Sequence, residues 1–255
     1  RLCAAADGAG GVASSSSLEQ STRAAAGEVE EELRRTLPKE QFTRMEVLGQ
    51  FNMGFIIART PRGAGSHDDL YIIDQHAADE KARFELLSSS TTVHTQRLIA
   101  PLPLDLSASD ELVVIDHLRA FAANGFEVDV DEAAPPTRRL KLRTLPFSKK
   151  VVFGVSDVHE LVALLADEPA GDAAGDAAAY PRLPKLRDVF ASRACRSSVM
   201  IGTALEMSKM RSIVAGLARL DQPWNCPHGR PTLRHLVDLD AVRALAQRTA
   251  AAASS

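Results

Sequence analysis

One stretch of this chain joins a short apolar strand to the start of a helix that carries metal-binding side chains. Residues 70–73 read Leu-Tyr-Ile-Ile, and residues 74–85 read Asp-Gln-His-Ala-Ala-Asp-Glu-Lys-Ala-Arg-Phe-Glu. A helix would project His76 and Glu80 from one face, with about 5 to 6 Å between their Cβ atoms. Asp74 lies where the strand meets the helix. The stretch predicts a strand–helix unit that holds one divalent ion or two, and a solvated surface pair is the competing interpretation.

A second set of donors follows roughly 150 residues later. Residues 224–231 read Trp-Asn-Cys-Pro-His-Gly-Arg-Pro, and their prolines and glycine predict an ordered loop without regular structure. In such a loop Cys226 and His228 can converge on one ion. Thiolate, imidazole and carboxylate together suit zinc or another transition metal better than calcium or magnesium.

Cys195 is the remaining candidate ligand. It lies between Arg193 and Arg196, whose positive charges predict a lowered thiol pKa and a thiolate ready to bind metal. A small buried core cysteine is the alternative interpretation of the same residue.

Length, composition and charge bound the fold and the partners. A chain of 255 residues with 45% hydrophobic content can form one large domain or two small ones around an ordinary core. The formal net charge of −3 gives no global sign of nucleic-acid binding, although residues 138–150 form a local basic stretch. We therefore expect weak DNA affinity for this chain alone.

Cysteine usage and hydropathy indicate the compartment. Three cysteines are an odd and low number, which argues against a disulfide framework and for a reducing environment. No apolar run is long enough to cross a bilayer, and the first residues lack a signal-peptide pattern, so no membrane association is expected. Because the chain begins at Arg1, we expect it to be a piece of a longer protein.

Hydrophobic periodicity and turn residues predict an α+β chain. The predicted strands are residues 45–49, 53–59, 70–74, 98–106, 126–131 and 138–145. The predicted helices are residues 28–37, 77–87, 107–124, 156–165, 185–194, 207–220 and 232–247. Ser107 and Ser156 are the expected N-caps of two of these helices. Residues 1–28 predict a linker and 170–179 an exposed loop, while periodicity leaves 196–205 open between strand and helix.

Taken together, these segments resemble the C-terminal domain of the MutL family of mismatch-repair proteins, of the eukaryotic PMS type. Residues 74–85 are similar to the family's endonuclease motif, which is DQHA, two residues, E, four residues, E. Residues 194–196 are similar to its second motif and 226–231 to its last, and 49–55 are similar to its strand region. The resemblance extends over about residues 42–245.

The resemblance implies an ATP-stimulated endonuclease that nicks duplex DNA in the nucleus. The ATPase would belong to an N-terminal domain outside this chain. The resemblance also implies a heterodimer with a second MutL homologue, formed through this domain. The full-length protein would further engage a MutS-type mismatch-recognition complex.

The resemblance also implies roles for individual residues. The metal ligands would be His76, Glu80, Cys195, Cys226 and His228, with Asp74 and Glu80 as the catalytic carboxylates. They would bind one or two Zn²⁺ ions, with Mn²⁺ as the activating ion. Arg196 and Arg230 are candidate phosphate contacts. Glu85 completes the motif, but the sequence leaves open whether it belongs to the metal site; orienting another group is one role it could have.

A separate segment resembles the family's sliding-clamp-binding sequence. It comprises Gln96, Leu98, Ile99 and Pro101, which in extended form would place a glutamine, an apolar pair and a proline against an apolar pocket. An ordinary edge strand whose end is protected by Pro101 is the alternative.

The expected organisation is two subdomains. Residues 41–92 and 186–248 would form the dimerisation and endonuclease part, 93–185 an inserted outer subdomain, 1–40 a linker with a leading helix, and 249–255 a tail. A non-catalytic dimerisation module with a structural zinc site is the alternative function, because the same ligands suit structural zinc. An unrelated metallohydrolase is disfavoured, since HExxH, GxSxG and P-loop patterns are absent from the sequence.

Overall fold

A computed structural model describes residue 37 and residues 39–61, 68–168 and 180–253 of the protein. The fold is α+β, as predicted. The strands are β1 (Glu46–Phe51), β2 (Phe55–Thr60), β3 (Asp69–Asp74), β4 (Thr95–Pro103), β5 (Val128–Val130), β6 (Leu140–Pro146) and β7 (Leu233–Asp238). The helices are α1 (Gln75–Ser90), α2 (Ala108–Asp116), α3 (Leu118–Ala123), α4 (Val155–Leu165), α5 (Pro184–Ser197), α6 (Met207–Leu217) and α7 (Leu239–Ala253), and a 3₁₀ turn, Lys39–Thr43, precedes β1.

The first sheet is antiparallel, in the order β1-β2-β3-β7. Along β2 and β3 buried positions alternate with more exposed ones, because successive side chains of a strand point to opposite faces. Phe55 of β2 pairs with Asp74 at the end of β3. The sheet therefore delivers Asp74 to the beginning of α1.

The second sheet is antiparallel, in the order β4-β6-β5. Its ladder between β4 and β6 shifts register between Arg97 and Leu102. The intervening residues, 98–101, thus leave the regular pairing of an edge strand. This irregularity coincides with the segment predicted to bind a sliding clamp.

Two clusters of buried apolar residues support these sheets. The large core combines residues 104–165 with parts of α1 and α5, and includes Phe84, Phe121, Phe126, Leu142, Leu161 and Phe190. The small core lies on the first sheet and α6, and includes Phe42, Ile56, Ile73, Ala78, Ile213 and Leu217. Helix α1 contributes Phe84 to the large core and Ala78 to the small one. This helix therefore runs along the junction of the two cores.

The predicted helix at 232–247 is wrong in its first half. Residues 233–238 form β7, which pairs with β3, and the helix begins only at Leu239 and continues to Ala253 through most of the predicted tail. Leu233, Leu236 and Val237 have helical spacing in the sequence. The free edge of β3 decides the outcome, because pairing satisfies backbone groups on both strands.

Two smaller corrections concern helix ends. The predicted helix at 107–124 is divided at His117 into α2 and α3, although Ser107 does cap its start by accepting from Asp110 N at 3.1 Å. Ser156 is not the cap of α4. Gly154 holds that position, and its N–H donates to the Asp157 carboxylate at 2.8 Å. Of residues 196–205, which periodicity left open, Arg196 and Ser197 end α5, and residues 198–205 are neither helix nor strand.

The division into subdomains stays a prediction. The first sheet takes its strands from residues 46–74 and 233–238, and the second from 95–146. The large core, however, joins Phe84 and Phe190 to the apolar side chains of 93–185. The predicted linker, the loop at 170–179 and, apart from Leu37, the helix at 28–37 lie outside the described residues. Among the described helices, none has the length and hydropathy needed to span a membrane.

Candidate metal centre

Helix α1 buries polar side chains in its first turns, where a helix between two cores would ordinarily bury apolar ones. Glu80 is 1% exposed, and Gln75 and His76 are also buried. The helix begins here because Asp74 is its N-cap, with Oδ1 accepting from the backbone N–H groups of His76 and Ala77, each at 2.9 Å. These bonds satisfy two of the donors that a helix start leaves unpaired. The turn that follows β3 thus fixes the direction of His76 and Glu80.

The structure brings all five predicted ligands together in two overlapping groups. His76, Glu80 and Cys195 form one group, and Glu80, Cys226 and His228 form the other. Within each group the donor atoms lie within 4.8 Å of one another. Glu80 is common to both groups, since Oε2 lies 4.0 Å from His76 Nε2 and Oε1 lies 2.7 Å from His228 Nδ1. We refer to these five residues as the His–Glu–Cys cluster.

Different elements deliver the two cysteines. Cys195 lies in the last turn of α5, which packs along α1, and its Sγ is 3.6 Å from His76 Nε2. Cys226 lies in a tight loop, where its N–H donates to Arg230 O at 2.8 Å and its carbonyl accepts from Gly229 N at 2.9 Å. Gly229 has a φ of +79°, a conformation that L residues with a side chain rarely adopt. This turn returns His228 to Glu80.

Burial dominates the electrostatics of both thiols. Burial and the Glu80 carboxylate raise the pKa of Cys195, and Arg230 and Arg196 oppose them only in part. The predicted lowering of the Cys195 pKa is therefore wrong, although Arg196 does act in the predicted direction. Burial also raises the pKa of Cys226, together with a hydrogen bond to Glu80. A divalent cation among these donors would reverse the preference, because coordinating thiols are deprotonated.

The donor set fits a transition metal. Thiol, imidazole and carboxylate groups converge here. A charged carboxylate as buried as that of Glu80 is costly in free energy unless a cation compensates its charge. The cluster is accessible from one side, where the His228 side chain is 48% exposed. Arg196 and Arg230, the candidate phosphate contacts, are exposed as well.

Asp74 stands apart from both groups of donors. Its Oδ1 is engaged at the helix start, and its side chain lines a shallow cleft that it shares with Arg230, Phe55 and Ile72. The carboxylate therefore lies beside the loop that carries Cys226 and His228 rather than among the donors themselves.

Comparison with known proteins identifies the family of this chain. The family model described as "MutL C terminal dimerisation domain" matches residues 48–205. This chain belongs to that family. The MutL domain is 47% identical over 213 residues to mismatch repair endonuclease PMS2 of Mus musculus, a match covering 84% of this chain and 23% of the relative.

Two further relatives carry similar names. DNA mismatch repair protein PMS1 of Saccharomyces cerevisiae is 47% identical over 210 residues, covering 82% of this chain and 23% of the relative. DNA mismatch repair protein MutL of Clostridium tetani is 29% identical over 199 residues, covering 77% of this chain and 29% of the relative. The chain thus spans about a quarter of the length of these relatives.

Glu85 of the MutL domain has a position that the sequence left open. Its carboxylate accepts from the backbone N–H groups of Asp221 at 2.8 Å and Gln222 at 3.2 Å, and Lys81 lies 3.1 Å from it. The residue anchors the loop that leads to Cys226. Its contacts are with backbone groups of that loop, so the role of orienting another group agrees with its geometry.

Two further polar residues of α1 were missed by sequence reasoning. Gln75 Nε2 donates to the carbonyls of Met53 and Met200, each at 3.0 Å. Asp79 accepts from Val199 N at 2.9 Å. These backbone partners are far away in the sequence, so no spacing rule predicts the contacts, although Asp79 also pairs with Arg83 four residues on.

The segment with Gln96, Leu98, Ile99 and Pro101 is presented to solvent. Ile99 is fully exposed, Gln96 and Pro101 are exposed, and Leu98 packs partly against the large core. The segment lies in β4, as the edge-strand alternative requires, but the register shift removes residues 98–101 from regular pairing. Both interpretations of the segment remain compatible with this position.

Proposed function

We propose that this MutL C-terminal domain is a metal-dependent endonuclease that nicks duplex DNA in mismatch repair. The observation that carries the proposal is the His–Glu–Cys cluster, in which donors from three distant segments surround one buried carboxylate. The names of the relatives from Mus musculus and other animals, which are mismatch repair endonucleases, support it.

The five cluster residues would hold one or two Zn²⁺ ions, with Mn²⁺ as the activating ion. Bound metal would supply positive charge for phosphate oxygens and lower the pKa of a water molecule. Glu80 is suited to bridging, because its two oxygens face different histidines. The other ligands would come from two sides of Glu80. His76 and Cys195 lie on one side, and Cys226 and His228 on the other.

Asp74, Arg196 and Arg230 would act on the attacking water and on the DNA phosphate. Asp74 would accept the proton of the attacking water, a task for a carboxylate near the scissile phosphate. Arg196 and Arg230 would orient that phosphate through charge-assisted hydrogen bonds. Arg196 and Arg230 are exposed and lie near Cys195, which supports their role in binding the phosphate.

The partners are proposals for the full-length protein. A second MutL homologue would dimerise with this domain, in keeping with the description of its family. The exposed segment at 96–101 would bind a sliding clamp. A MutS-type complex, duplex DNA and ATP would be engaged through the full-length protein in the nucleus, and ATP through a separate N-terminal domain.

Nicking of supercoiled plasmid by the full-length dimer with Mn²⁺ tests the activity. We expect Glu80→Gln and Asp74→Asn each to lower the nicking rate by roughly 100-fold or more, as expected when a group acts in the transition state. Asp74→Asn is informative because asparagine is an equally good N-cap, so α1 keeps its start. Glu160→Gln, an exposed carboxylate of α4, is the matched control. Undiminished nicking by both site variants would contradict the proposal.

A non-catalytic dimerisation module with a structural zinc site is the second candidate. The two cysteines favour it, because thiolates are the usual ligands of structural zinc. Under this alternative, Glu80→Gln would lower zinc content and dimer stability, and the parent protein would show no nicking that depends on Asp74.

A further inference from the structure

Asp79 is a buried carboxylate of α1 that is not among the cluster donors. It is 8% exposed and lies next to Glu80 in the sequence. Its Oδ2 accepts from Val199 N at 2.9 Å and from Arg83 Nε at 2.8 Å, and Lys209 Nζ lies 3.9 Å from Oδ1. Since protein donors already satisfy this carboxylate, it is a fixed point on the helix rather than a free ligand.

The carbonyl of the same valine contacts a proposed metal ligand. His76 Nδ1 lies 2.9 Å from Val199 O. A carbonyl only accepts, so in this hydrogen bond Nδ1 carries the proton. In the neutral ring the lone pair is then on Nε2, which lies on the side of Cys195 Sγ and Glu80 Oε2.

Two side chains of α1 thus bind the backbone of Val199. Asp79 and His76 are three residues apart and therefore lie on one face of the helix. Asp79 accepts from the N–H of Val199, and His76 donates to its carbonyl. Residues 199–206 have no helix or strand of their own, so single contacts such as these, together with the backbone bond from Gly202 N to Met53 O, fix their position.

We propose that Asp79 is a positioning residue for His76, acting through Val199. By holding the valine N–H, Asp79 places the carbonyl that fixes the tautomer and ring orientation of His76. The inference rests on the proposed function, since it gives His76 a metal to bind. Partners of metal-bound histidines commonly change metal affinity by about 10- to 100-fold when they are removed.

Zinc affinity of the full-length protein, measured by competition with a chromophoric chelator, tests the inference. We expect Asp79→Ala to weaken zinc binding by about 10- to 100-fold. Asp79→Asn keeps an oxygen that accepts from Val199 N, so it should recover most of the affinity. Arg83→Met, which removes the ion pair but keeps the bond to Val199, should bind zinc as the parent does.

The outcomes separate this inference from the proposed function. Parental affinity in Asp79→Ala, while Cys226→Ser loses zinc, would overturn the role of Asp79 and leave the metal site standing. An equal loss in Arg83→Met would also overturn it, because the effect would then come from the charge pair. A parent that binds no zinc would overturn both proposals.

A measurement on the unmutated protein covers the case in which Asp79→Ala does not fold. The ¹⁵N resonances of His76 in the metal-free protein report which ring nitrogen carries the proton. We expect the neutral ring to carry its proton on Nδ1, which lies 2.9 Å from Val199 O. The Nε2–H tautomer would overturn the inference.

Discussion

The large core and the His–Glu–Cys cluster are both buried, but different forces hold them. The large core is built from apolar side chains such as Phe121, Phe126 and Leu161, which gain free energy simply by leaving water. In the cluster, Glu80 is equally buried among imidazoles and thiols, and burial of its charge costs free energy unless partners compensate. The large core therefore stabilises the fold, and this stabilisation offsets the cost of burying the charge in the cluster.

Helix α1 shows how the two regions are combined. Phe84 enters the large core and Ala78 the small one, while His76 and Glu80 lie at the cluster. Apolar contacts on the helix fix its place between the cores. The polar residues are then held where their own burial would be unfavourable, which is the arrangement expected of a site kept for its chemistry.

The largest effect on stability is expected in the large core. Phe121→Ala should lower the free energy of unfolding by about 3–5 kcal/mol, because it removes a fully buried ring and leaves a cavity. Denaturant unfolding measures this loss, and Phe147→Ala, at a ring that is 51% exposed, is the control. If zinc affinity of the still-folded protein fell in parallel, the two regions would not be independent.

Metal removal should have the next largest effect, and on the cluster alone. At free zinc about 100 times its Kd, binding to the folded state adds about 2.7 kcal/mol to the free energy of unfolding. A chelator should therefore lower the thermal unfolding temperature of the parent, but much less that of Cys226→Ser. Equal shifts in both proteins would show that the zinc is bound elsewhere.

Glu85 should contribute less, because it holds a loop at the surface. Glu85→Ala should cost about 1 kcal/mol, since backbone N–H groups of Asp221 and Gln222 lose a charged acceptor but gain access to water. Amide hydrogen exchange of these two residues should accelerate. Glu85→Gln, which keeps an acceptor, should show a smaller change, and an unchanged exchange rate in Glu85→Ala would contradict the assigned anchor.

Asp68 gives the smallest effect and sharpens the comparison with Glu80. Both carboxylates are 1% exposed, but Asp68 is paired with Arg59 and Arg243, each at 2.6 Å. The hydrogen bond from Arg59 holds the pKa of Asp68 below its ordinary value, although burial opposes it. Because the pKa is lower in the folded state, the stabilisation is present above the unfolded value of about 3.9 and is lost as the pH falls through the folded value.

Acid should therefore loosen α7, whose Arg243 makes one of these pairs. The protection factors of the α7 amides, which compare the observed exchange with the intrinsic rate at each pH, should fall as the pH is lowered below about 3.9. In Asp68→Asn the protection factors should already be lower near neutral pH and should change less on acidification. A pH response that is identical in the two proteins would show that other carboxylates control this helix.

Local signals predicted most elements because they depend on neighbouring residues. The strand of the β3–α1 unit was predicted from its apolar run, its helix was predicted at 77–87, and α5 and α6 were also predicted as helices. The Asp74 cap, which starts α1 already at Gln75, was not predicted. The strand β7 was not. Its residues have a spacing that fits a helix, and only the unpaired edge of β3, far away in the sequence, makes a strand the better solution.

The site divides in the same way. Side-chain chemistry within the sequence marked candidate donors, and the family resemblance selected His76, Glu80, Cys195, Cys226 and His228 among them. Only the tertiary structure decided that Glu80 would face both histidines, that burial would raise the pKa values of both thiols, and that Asp79 and Glu85 would accept from backbone N–H groups of two loops. The physical reason is that donor chemistry belongs to a residue, whereas burial, orientation and charge environment depend on what the rest of the chain packs around it.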